Sequence, residues 1–470
     1  MLSGKRTKII ATIGPSCDTK NGVRELIGTG VNVFRFNLKH NSLSWHKERL
    51  KIVREVAKEL STDIGTLIDL QGPEIRIKTK EKRDFPLKKG DEIIVTNNLE
   101  DGEGVLEISE TSVFDELVAG DILLIDDGLV ELKVKSKTPD KVIAVAVDSC
   151  TLRDRKSLSL PGKKIGLPSL EKKDLDALDA FIKEDVDFVA LSFCRDKEDI
   201  IKLRNEMEKR EIKSKIIAKI ESRVALENLE EIIENSDGVM VARGDLGVET
   251  PIEELAHIQK LLINKCRIKR KPVIVATQML QSMVENPKPT RAEATDVANA
   301  VYDGTDAVML SGETATGKYP VKAVLAMSKI LEFNEQKADI QRAHFRTENE
   351  TEMVIDAAVD MIAERHKIKI DSIIVFTETG YTARALSSLR PRTPIIAVTD
   401  NKQTVGSLTL SFGVRSEYLV FPEGMFISPS NIINKLVTEG KVEKKQTVLV
   451  VHGQHWKKPG LTNSLSLLTI

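Results

Sequence analysis

The order of apolar runs along the chain limits the possible folds more than any other feature. Each run is short, as in a buried strand. Between the runs, segments such as 43–60, 224–233 and 252–266 have apolar residues at helical intervals. The strand-like runs are 7–13, 31–36, 65–69, 187–193, 215–220, 238–241, 272–276 and 307–310. Eight strands, each followed by a helix, are typical of a (β/α)8 TIM barrel, and we expect this α/β fold here.

The barrel pattern is interrupted between its third and fourth strands. Residues 74–156 show no helical period, and turn signals such as 126–128 separate β-rich runs. Residues 129–134 and 142–147 have the pattern of two hairpin arms. We therefore predict a small all-β domain inserted into the barrel.

A third unit follows the barrel. Residues 341–350 are polar and charged, and strand-like runs at 373–376, 394–398 and 447–451 come after them, with helical patterns between. This order predicts a C-terminal α/β domain. The expected domains are 1–72 with 158–337 for the barrel, 73–157 for the insertion, and 338–470 for the C-terminal domain.

Composition bears on the classes of function. The chain has 470 residues, and its 70 Lys and Arg nearly balance 71 Asp and Glu. This balance removes the bulk electrostatic attraction to nucleic acid or to an anionic membrane. Four cysteines lie far apart without a Cys-x-x-Cys pair, which suits a reducing compartment. No run of about 18 apolar residues occurs. We expect a cytoplasmic protein without a nucleic-acid or membrane partner.

Charged and hydroxyl side chains follow nearly every predicted barrel strand, at the ends where barrel enzymes place their functional residues. Lys219 and Glu221 are two residues apart, so on a strand they share one face. With Asp245 they offer an ammonium and two carboxylates, which could bind Mg²⁺. An ion pair that closes the barrel end, or a Schiff-base lysine at 219, would use the same residue types.

Several segments taken together identify a family. The chain resembles the pyruvate kinases over essentially its whole length, with these segments in the family's order and spacing. The most specific segments are 217–221 and 237–247. The others are 7–15, 69–76, 160–162, 276–280, 289–293 and 309–315.

The resemblance implies a fold and a reaction. The fold is a TIM barrel, an inserted β-barrel lid domain that is mobile, and a regulatory C-terminal α/β domain. The reaction transfers the phosphoryl group of phosphoenolpyruvate to ADP, which gives ATP and pyruvate in the final step of glycolysis. The resemblance also implies a homotetramer.

The resemblance assigns roles to individual residues. It implies that Lys219 and Arg35 stabilise charge on the transferring group, and that Thr277 completes the catalytic set. Glu221 and Asp245 would hold Mg²⁺ or Mn²⁺. The implied substrate-binding residues are Arg35, Gly244, Asp245 and Thr277, and the implied nucleotide-binding residues are Asn37, His40, Arg76 and Lys156.

The family's K⁺ site is altered in this sequence. The resemblance implies K⁺ ligands at Asn37, Asp69 and the carbonyl of Leu70. Lys39 stands where the family has a serine, and its ammonium could take the place of the cation. Glu74, however, is the residue type of the K⁺-dependent members. We hypothesise that Lys39 partly replaces K⁺, so that activity needs little of it; the alternative is that Lys39 points to solvent.

One loop of the C-terminal domain matches an effector site. In many members of the family this loop holds the phosphate of a sugar-phosphate activator, and here it contains Thr377, Thr379, Gly380 and Thr382. Hydroxyls and glycine suit a phosphate, but Glu378 does not. This argues against regulation by fructose 1,6-bisphosphate and leaves another phosphorylated effector, or none, open.

Two other functions stand against the leading one. A lyase or aldolase on a similar barrel would form a Schiff base through Lys219, but the inserted domain and the nucleotide-side residues argue against it. A non-catalytic sensor would bind the same ligands without turnover, although every chemical position except Lys39 is intact.

Overall fold

The structure is a computed structural model, and its first elements alternate strand and helix as predicted. It describes residues 4–97, 105–108, 110–138, 141–340, 347, 349–363, 368–421, 428–453 and 462–470. The first elements are β1 (Lys8–Thr12), α1 (Lys20–Thr29), β2 (Val33–Asn37), α2 (Leu43–Glu59) and β3 (Gly65–Asp69). Ser42 caps α2, because its hydroxyl accepts a hydrogen bond from the Trp45 N–H at 3.2 Å.

The inserted region is mostly β-structure, as predicted. Its elements are β4 (Ile77–Thr79), β5 (Phe85–Leu87), β6 (Glu92–Thr96), β7 (Val105–Ile108), α3 (Ser112–Glu116), β8 (Ile122–Ile125), β9 (Val130–Lys137), β10 (Lys141–Ala146), β11 (Cys150–Leu152) and β12 (Leu158–Ser159). Seven strands pair in the order β12-β8-β9-β10-β6-β7-β4, and β11 pairs with β5. A hydrogen bond from the Ile77 N–H to the Lys156 carbonyl ties the two ends of the larger sheet together.

The prediction that this region contains no helix is wrong, because two short helical elements occur in it. A 3-10 turn covers Lys80–Lys82 and one helical turn forms α3. Val113 and Phe114 are buried on α3 and pack into the core of the inserted sheet. One turn is too short to show a helical period in sequence, so the pattern did not reveal it.

The βα alternation then resumes. The elements are α4 (Lys172–Phe181), β13 (Phe188–Leu191), α5 (Lys197–Glu208), β14 (Lys215–Ile220), α6 (Arg223–Glu227), α7 (Leu229–Asn235), β15 (Gly238–Ala242), α8 (Arg243–Glu249), α9 (Leu255–Ile268), β16 (Val273–Ala276), α10 (Arg291–Asp303), β17 (Ala307–Leu310), α11 (Gly312–Ala315) and α12 (Pro320–Lys337). All eight predicted strands form, and they close into a parallel barrel in the order β1-β17-β16-β15-β14-β13-β3-β2.

Two predicted helices differ in their bounds. The helix expected at 224–233 is broken into α6 and α7 at Asn228, whose side-chain amide donates to the carbonyls of Arg195 and Val224. The helix expected at 252–266 begins only at Leu255, because turns occupy the residues after Pro251. In both places local polar hydrogen bonding competes with the helix that apolar spacing predicts.

The barrel strands are apolar on both faces, which explains why short apolar runs in the sequence predicted them. Nearly every strand residue is buried. The inward-facing side chains form a separate cluster inside the barrel, and Leu410 from the C-terminal part of the chain belongs to it. The C-terminal part of the chain therefore closes one end of the barrel.

The last elements form the predicted α/β unit. They are α13 (Glu350–Met361), β18 (Ser372–Phe376), α14 (Tyr381–Ser388), β19 (Ile395–Thr399), α15 (Lys402–Ser407), β20 (Val414–Tyr418), α16 (Pro429–Thr438), β21 (Thr447–Gly453) and β22 (Thr462–Thr469). The sheet order is β20-β19-β18-β21-β22, with only β22 antiparallel. The two outer strands were not predicted, because edge strands are partly exposed and carry polar residues. Most of the polar segment 341–350 lies outside the described residues.

The C-terminal unit meets the barrel at the N-terminal ends of its strands. Arg390 pairs with Asp306 at 2.7 Å, and the Phe412 N–H donates to the other carboxylate oxygen of Asp306 at 3.1 Å. Two glycines permit a close approach: a Cβ on Gly65 would lie 2.2 Å from Thr409 Oγ1, and one on Gly406 would lie 1.7 Å from Asp187 Oδ1. Larger residues at these two positions would push the units apart.

Within the described residues, no helix combines the length and the apolar character that crossing a bilayer requires.

We expect Asp187→Asn to stabilise the protein most at alkaline pH. Burial raises the pKa of Asp187 from 3.8 to about 6, although hydrogen bonds from Thr66 oppose this rise. The folded protein thus holds this proton more tightly than the unfolded chain, so ionising Asp187 lowers the free energy of unfolding as pH rises from about 4 to about 6. Asn removes that penalty, and we expect a gain of about 1–3 kcal/mol at about pH 8 and a smaller gain at about pH 5.

Chemical denaturation of the two proteins at both pH values measures this difference. Asp185→Asn is a matched control, because Asp185 is exposed nearby and should change little at either pH. If Asp187→Asn raised the free energy of unfolding equally at the two pH values, the ionisation of Asp187 would not be the source of the gain.

Candidate active site

Strand ends of the barrel converge on the ammonium of Lys219, near the end of β14. Its Nζ donates to the Ser192 hydroxyl at 2.8 Å and lies 2.8 Å from Glu221 Oε1. Asp69 Oδ1 is 3.4 Å away, and only 8% of the Lys219 side chain is exposed. Burial alone would lower the pKa of Lys219, but Asp69 and Glu221 outweigh it and raise this pKa well above its ordinary value. The amine therefore stays a cation at neutral pH.

Ser192 and Phe193, directly after β13, organise this cluster, and sequence reasoning missed them. The Ser192 hydroxyl accepts from Lys219 and donates to the Leu70 carbonyl at 2.8 Å. The Phe193 N–H donates to Glu221 Oε2 at 2.6 Å, from a left-handed backbone with φ of 54°. The predicted strand at 187–193 includes both residues, so the sequence did not separate them from the strand.

Arg35 on β2 is the second cation of the cluster. Its Nε donates to Asp69 Oδ2 at 2.7 Å, and its Nη1 donates to the Thr12 hydroxyl at 3.0 Å. Burial would raise the pKa of Asp69, but Lys219 and Arg35 hold it below its usual range. The two cations predicted to act in catalysis thus share one ionised carboxylate, which fixes them side by side.

Glu221 and Asp245 are the carboxylates predicted to hold a metal ion. Glu221 is buried, and Asp245 lies in the first turn of α8, with part of its side chain accessible to solvent. Desolvation by the surrounding protein and the Glu221 carboxylate raise the pKa of Asp245 to about 6. The charge of Glu221 thus disfavours ionisation of Asp245, and a cation bound by both carboxylates would offset this repulsion.

The donor set fits a cation that keeps further oxygen ligands. In the parts of the chain that the structure describes, no group of three or more His, Cys, Asp or Glu side chains forms a metal cage. Mg²⁺ and Mn²⁺ accept one or two protein carboxylates and complete their coordination with water or substrate oxygens. Glu221 and Asp245 could hold such an ion.

The predicted substrate-binding residues Gly244 and Thr277 lie together. The Gly244 N–H donates to Thr277 Oγ1 at 2.7 Å. Strand β16 ends at Ala276, and Thr277 and Gln278 then adopt positive φ angles of 67° and 53°. This backbone is strained for a β-branched residue, and such strain is found at functional sites. The sequence predicted the end of the strand at Ala276 correctly but not the positive φ angles that follow it.

Arg243 holds the strained turn in place. Its Nη2 donates to the Thr277 carbonyl at 2.8 Å, and its Nη1 donates to Asp296 on α10 at 2.7 Å. The Arg243 side chain is buried. Sequence reasoning treated it only as part of a turn, so this positioning role is a finding of the structure.

Lys39 does not extend into open solvent. Its Nζ lies 3.9 Å from Glu74 Oε2 and 4.9 Å from the centre of the Phe193 ring, and 24% of its side chain is exposed. Its positive charge lowers the pKa of Asp69 and of Asp245, although other groups contribute more to both shifts. The ammonium therefore has Glu74 as its ion-pair partner and contributes positive charge at the barrel mouth.

The residues predicted to form the K⁺ site have other partners. The Asn37 side-chain carbonyl accepts from the Lys39 N–H at 3.3 Å. The Leu70 carbonyl accepts from the Ser192 hydroxyl, and Asp69 pairs with Arg35. These three oxygen sources remain near Lys39, but each already has a donor.

The predicted nucleotide-side residues are only partly brought together. Arg76 pairs with Glu74 at 2.8 Å and donates to the Arg155 carbonyl at 2.9 Å, next to Lys156. Lys156 pairs with Asp126 at 2.8 Å. His40 is exposed on the loop after β2. Among the described residues, no hydrogen bond or ion pair joins His40 or Asn37 to Arg76 or Lys156.

The predicted effector loop forms the turn before α14. The Gly380 N–H donates to Thr377 Oγ1 at 3.0 Å, and Gly380 has a left-handed φ of 79°. Thr382 Oγ1 lies 2.9 Å from Thr462 Oγ1 on β22. Glu378 Oε2 is buried without a hydrogen-bond partner among the described residues, which disfavours an anion beside it.

Known proteins share this architecture and these sequence segments. A family model described as "Pyruvate kinase, barrel domain" matches residues 4–324, and one described as "Pyruvate kinase, alpha/beta domain" matches residues 352–468. Pyruvate kinases of Staphylococcus epidermidis and Staphylococcus aureus are 40% and 38% identical, over 98% of this chain and 80% of theirs.

A solved structure agrees with the sequence matches. The crystal structure of a pyruvate kinase from Cryptosporidium parvum superposes with a TM-score of 0.91 and 34% identity, and the match covers 99% of this chain and 96% of that one. The two family models, the relatives that match 98% of this chain, and the barrel with its converging charged residues agree. We conclude that the chain belongs to the pyruvate kinase family.

Proposed function

We propose that the chain transfers the phosphoryl group of phosphoenolpyruvate to ADP, giving ATP and pyruvate, in the last step of glycolysis. The observation that carries this proposal is the cluster of Lys219 and Arg35 with Asp69 and Glu221 at the barrel mouth. Phosphoryl transfer depends on positioning and on neutralising spread negative charge, and two fixed buried cations supply both.

The roles of the two cations follow from their surroundings. Arg35 and Lys219 would contact the transferring phosphoryl group, and Lys219 would also face the oxygen of the enolate left behind. Because Asp69 and Ser192 already hold these cations, little reorganisation is needed as charge develops.

The substrate carboxylate would bind at the turn that follows β15. The N–H groups of Gly244 and Asp245 and the hydroxyl of Thr277 are its proposed donors. The Gly244 N–H donates to Thr277 Oγ1, and the Thr277 hydroxyl donates to the Ala276 carbonyl. Both donors therefore lie at one point, and they would exchange these partners for the carboxylate oxygens. Closure of the inserted domain over the mouth would exclude water and limit hydrolysis.

Glu221 and Asp245 are the proposed ligands of Mg²⁺ or Mn²⁺. Held by these two carboxylates, such an ion would supply positive charge that offsets the negative charge of the substrate. The raised pKa of Asp245 beside Glu221 supports this assignment, since the pair is repulsive without a cation. The residues proposed to contact the nucleotide are Asn37, His40, Arg76 and Lys156.

We propose that Lys39 partly replaces K⁺. Its ammonium pairs with Glu74 at 3.9 Å, and its positive charge lowers the pKa of Asp69 and of Asp245. Because Lys39 already supplies this charge, and the K⁺ ligands implied at Asn37, Asp69 and Leu70 have other partners, added K⁺ would raise the rate only modestly.

The Schiff-base alternative has less support. A Schiff base needs a neutral amine, whereas the neighbouring carboxylates keep Lys219 protonated. Treatment with pyruvate and borohydride would leave a covalent adduct only if Lys219 acts as a nucleophile, and we expect none. A non-catalytic sensor would show a thermal shift with phosphoenolpyruvate but no turnover.

The decisive assay measures pyruvate formation from phosphoenolpyruvate and ADP with Mg²⁺, with and without K⁺. We expect turnover in both conditions and none without a divalent cation. Turnover only with K⁺ would keep the phosphotransferase and reject the role of Lys39. An absence of turnover in both conditions would overturn the proposed function.

Assembly and domain limits are further proposals. We propose a homotetramer, supported by exposed apolar side chains such as Met353 on α13 and Leu467 on the edge strand β22. Light scattering on the purified protein tests this. The separate cores of the barrel, the insertion and the C-terminal unit support three domains, for which the proposed limits are 1–72 with 158–337, 73–157 and 338–470. Leu158 and Leu160, just beyond the second limit, pack in the core of the insertion. Four free thiols suit the proposed cytoplasmic location.

A further inference from the structure

Two connections join the inserted domain to the barrel. The outgoing connection, residues 70–76, follows β3, and the return connection, residues 157–171, leads into α4. At the inserted domain the two connections bond to each other, because the Leu158 N–H donates to the Ile75 carbonyl at 2.9 Å. At this end they therefore belong to one paired piece of backbone that is continuous with the inserted sheet.

The barrel holds the outgoing connection through the carboxylate of Asp174. This side chain lies in the first turn of α4 and is buried. Its Oδ1 accepts from the N–H groups of Gln71 and Gly72 at 2.9 and 3.2 Å, and its Oδ2 accepts from the Glu171 N–H at 2.9 Å. Gly72 is also tightly packed, since a Cβ there would lie 3.0 Å from Ser192 Cβ. The outgoing connection is therefore fixed to the barrel as far as Gly72.

The guanidinium of Arg195 holds the return connection. Its Nη1 donates to the carbonyls of Ile165 and Leu167, both at 2.9 Å. Its Nε and Nη2 donate to the two carboxylate oxygens of Asp199, each at 3.0 Å, and Asp199 is buried on α5. Bidentate bonding to a buried carboxylate fixes the plane of the guanidinium. Arg195 thus ties two points of the return connection to the barrel.

Adjacent lysines mark where the return connection passes from one domain to the other. Lys163 pairs with Asp121 of the inserted domain at 3.0 Å, whereas Lys164 pairs with Asp196, which caps α5, at 2.7 Å. Gly162, just before them, has a left-handed φ of 74°. The backbone in which a rotation of the inserted domain can be taken up, which we call the pivot, therefore lies between residues 159 and 165 on this side. On the outgoing side it lies between Gly72 and Ile75.

A small cavity separates the two pivots. It has a volume of about 120 Å³, and Pro73, Glu74, Leu160 and Lys163 from the connections line it together with Arg195. Unfilled space is uncommon in a packed interior, and here it leaves room for the connections to move.

The proposed nucleotide site is divided by the pivots. Arg76 and Lys156 lie beyond them, in the backbone that pairs with the inserted sheet, whereas His40 belongs to the barrel. The residues proposed to contact the phosphoryl group, Arg35 and Lys219, also belong to the barrel. The place of the pivots therefore sets the width of the nucleotide site and leaves the phosphoenolpyruvate site unchanged.

We propose that Asp174 and Arg195 are positioning residues for the nucleotide. By fixing the two pivots, they set where Arg76 and Lys156 stand opposite His40. Neither of them contacts the substrates. This inference rests on the proposed function, because that function assigns the nucleotide to residues on both sides of the pivots.

Equilibrium binding separates this role from a general loss of structure. Arg195→Lys keeps a positive charge beside Asp199, but one ammonium cannot also reach both carbonyls of the return connection. In calorimetry with Mg²⁺, we expect the Kd for ADP to rise at least about 5-fold and the Kd for phosphoenolpyruvate to stay within about 2-fold of the parent. An unchanged affinity for ADP, or an equal loss of both affinities, in the folded variant would overturn the proposal.

Two further variants locate the effect. Asp174→Ala should also weaken ADP selectively, and it should lower the melting temperature because the Glu171 N–H at the start of α4 loses its acceptor. Arg204→Lys is the matched control. Arg204 lies on the same helix as Asp199, and its Nη2 donates to the Asn235 carbonyl at 2.8 Å, away from both connections. It should leave both dissociation constants unchanged.

Turnover assays distinguish the failure of this proposal from the failure of the proposed function. Turnover by the parent, with the ADP affinity unchanged in Arg195→Lys, would keep the phosphotransferase and reject the role of Arg195. If the parent bound ADP without turnover and Arg195→Lys weakened only ADP, the positioning role would stand and the phosphotransferase would not. A parent that binds no ADP would overturn both.

Discussion

Replacing Lys219 with methionine should lower kcat by at least about 10³-fold, because the substitution removes a preorganised positive charge from the site where charge develops. In the same protein, Glu221 would lose its buried cation, whereas Asp69 would keep Arg35. Leaving such a charge uncompensated costs about 3–5 kcal/mol, so we also expect a lower melting temperature. Steady-state kinetics and thermal denaturation measure the two effects.

A conservative variant separates the catalytic effect from the structural one. Lys219→Arg keeps the positive charge between the carboxylates, so its melting temperature should stay near that of the parent. Its kcat should still fall, because the larger guanidinium cannot place one donor on both the phosphoryl group and the enolate oxygen. A kcat within about 10-fold of the parent in Lys219→Met would contradict the assigned role.

Replacing Lys39 with serine should convert the protein to strong K⁺ dependence. Without K⁺, the variant would lack one positive charge beside Asp69 and Asp245, and we expect its kcat to fall by about 10–100-fold. Added K⁺ should restore most of that loss, because serine supplies the oxygen ligand that the family's site uses. The parent should respond to K⁺ by less than about 3-fold.

The measurement is a K⁺ titration of both proteins with a large inert cation holding ionic strength constant. Lys51→Ser is the control, since Lys51 is an exposed lysine on α2 and its loss should not create K⁺ dependence. A parent enzyme that is inactive without K⁺, or a Lys39→Ser variant that K⁺ does not rescue, would show that Lys39 does not act in place of the cation.

The eight barrel strands were predictable because burial on both faces makes them continuous apolar runs. Strands β20 and β22 were not predictable, since an edge strand contains polar residues of the kind that are also common in loops. The break at Asn228 and the single turn of α3 were also missed, because both depend on local side-chain contacts that periodicity does not record.

At the site, the sequence identified side chains whose chemistry is unusual for their place. Lys219, Glu221 and Arg35 are charged residues in or beside buried strands, and the sequence alone showed this unusual placement. Ser192 was not, because a serine after a strand is ordinary until its contacts with Lys219 and Leu70 are seen. The positive φ of Thr277 is a property of the folded backbone and has no signature in the residue itself.

Leu410 has a consequence for the order in which the chain can fold. It fills one end of the barrel interior, beside side chains that come from the first strands, such as Ile10 and Val33. During synthesis, the ribosome must therefore release about nine-tenths of the chain before the interior of the barrel is complete. The inserted β region has its own core, so it can fold earlier, while the barrel that surrounds it still exposes apolar surface to chaperones.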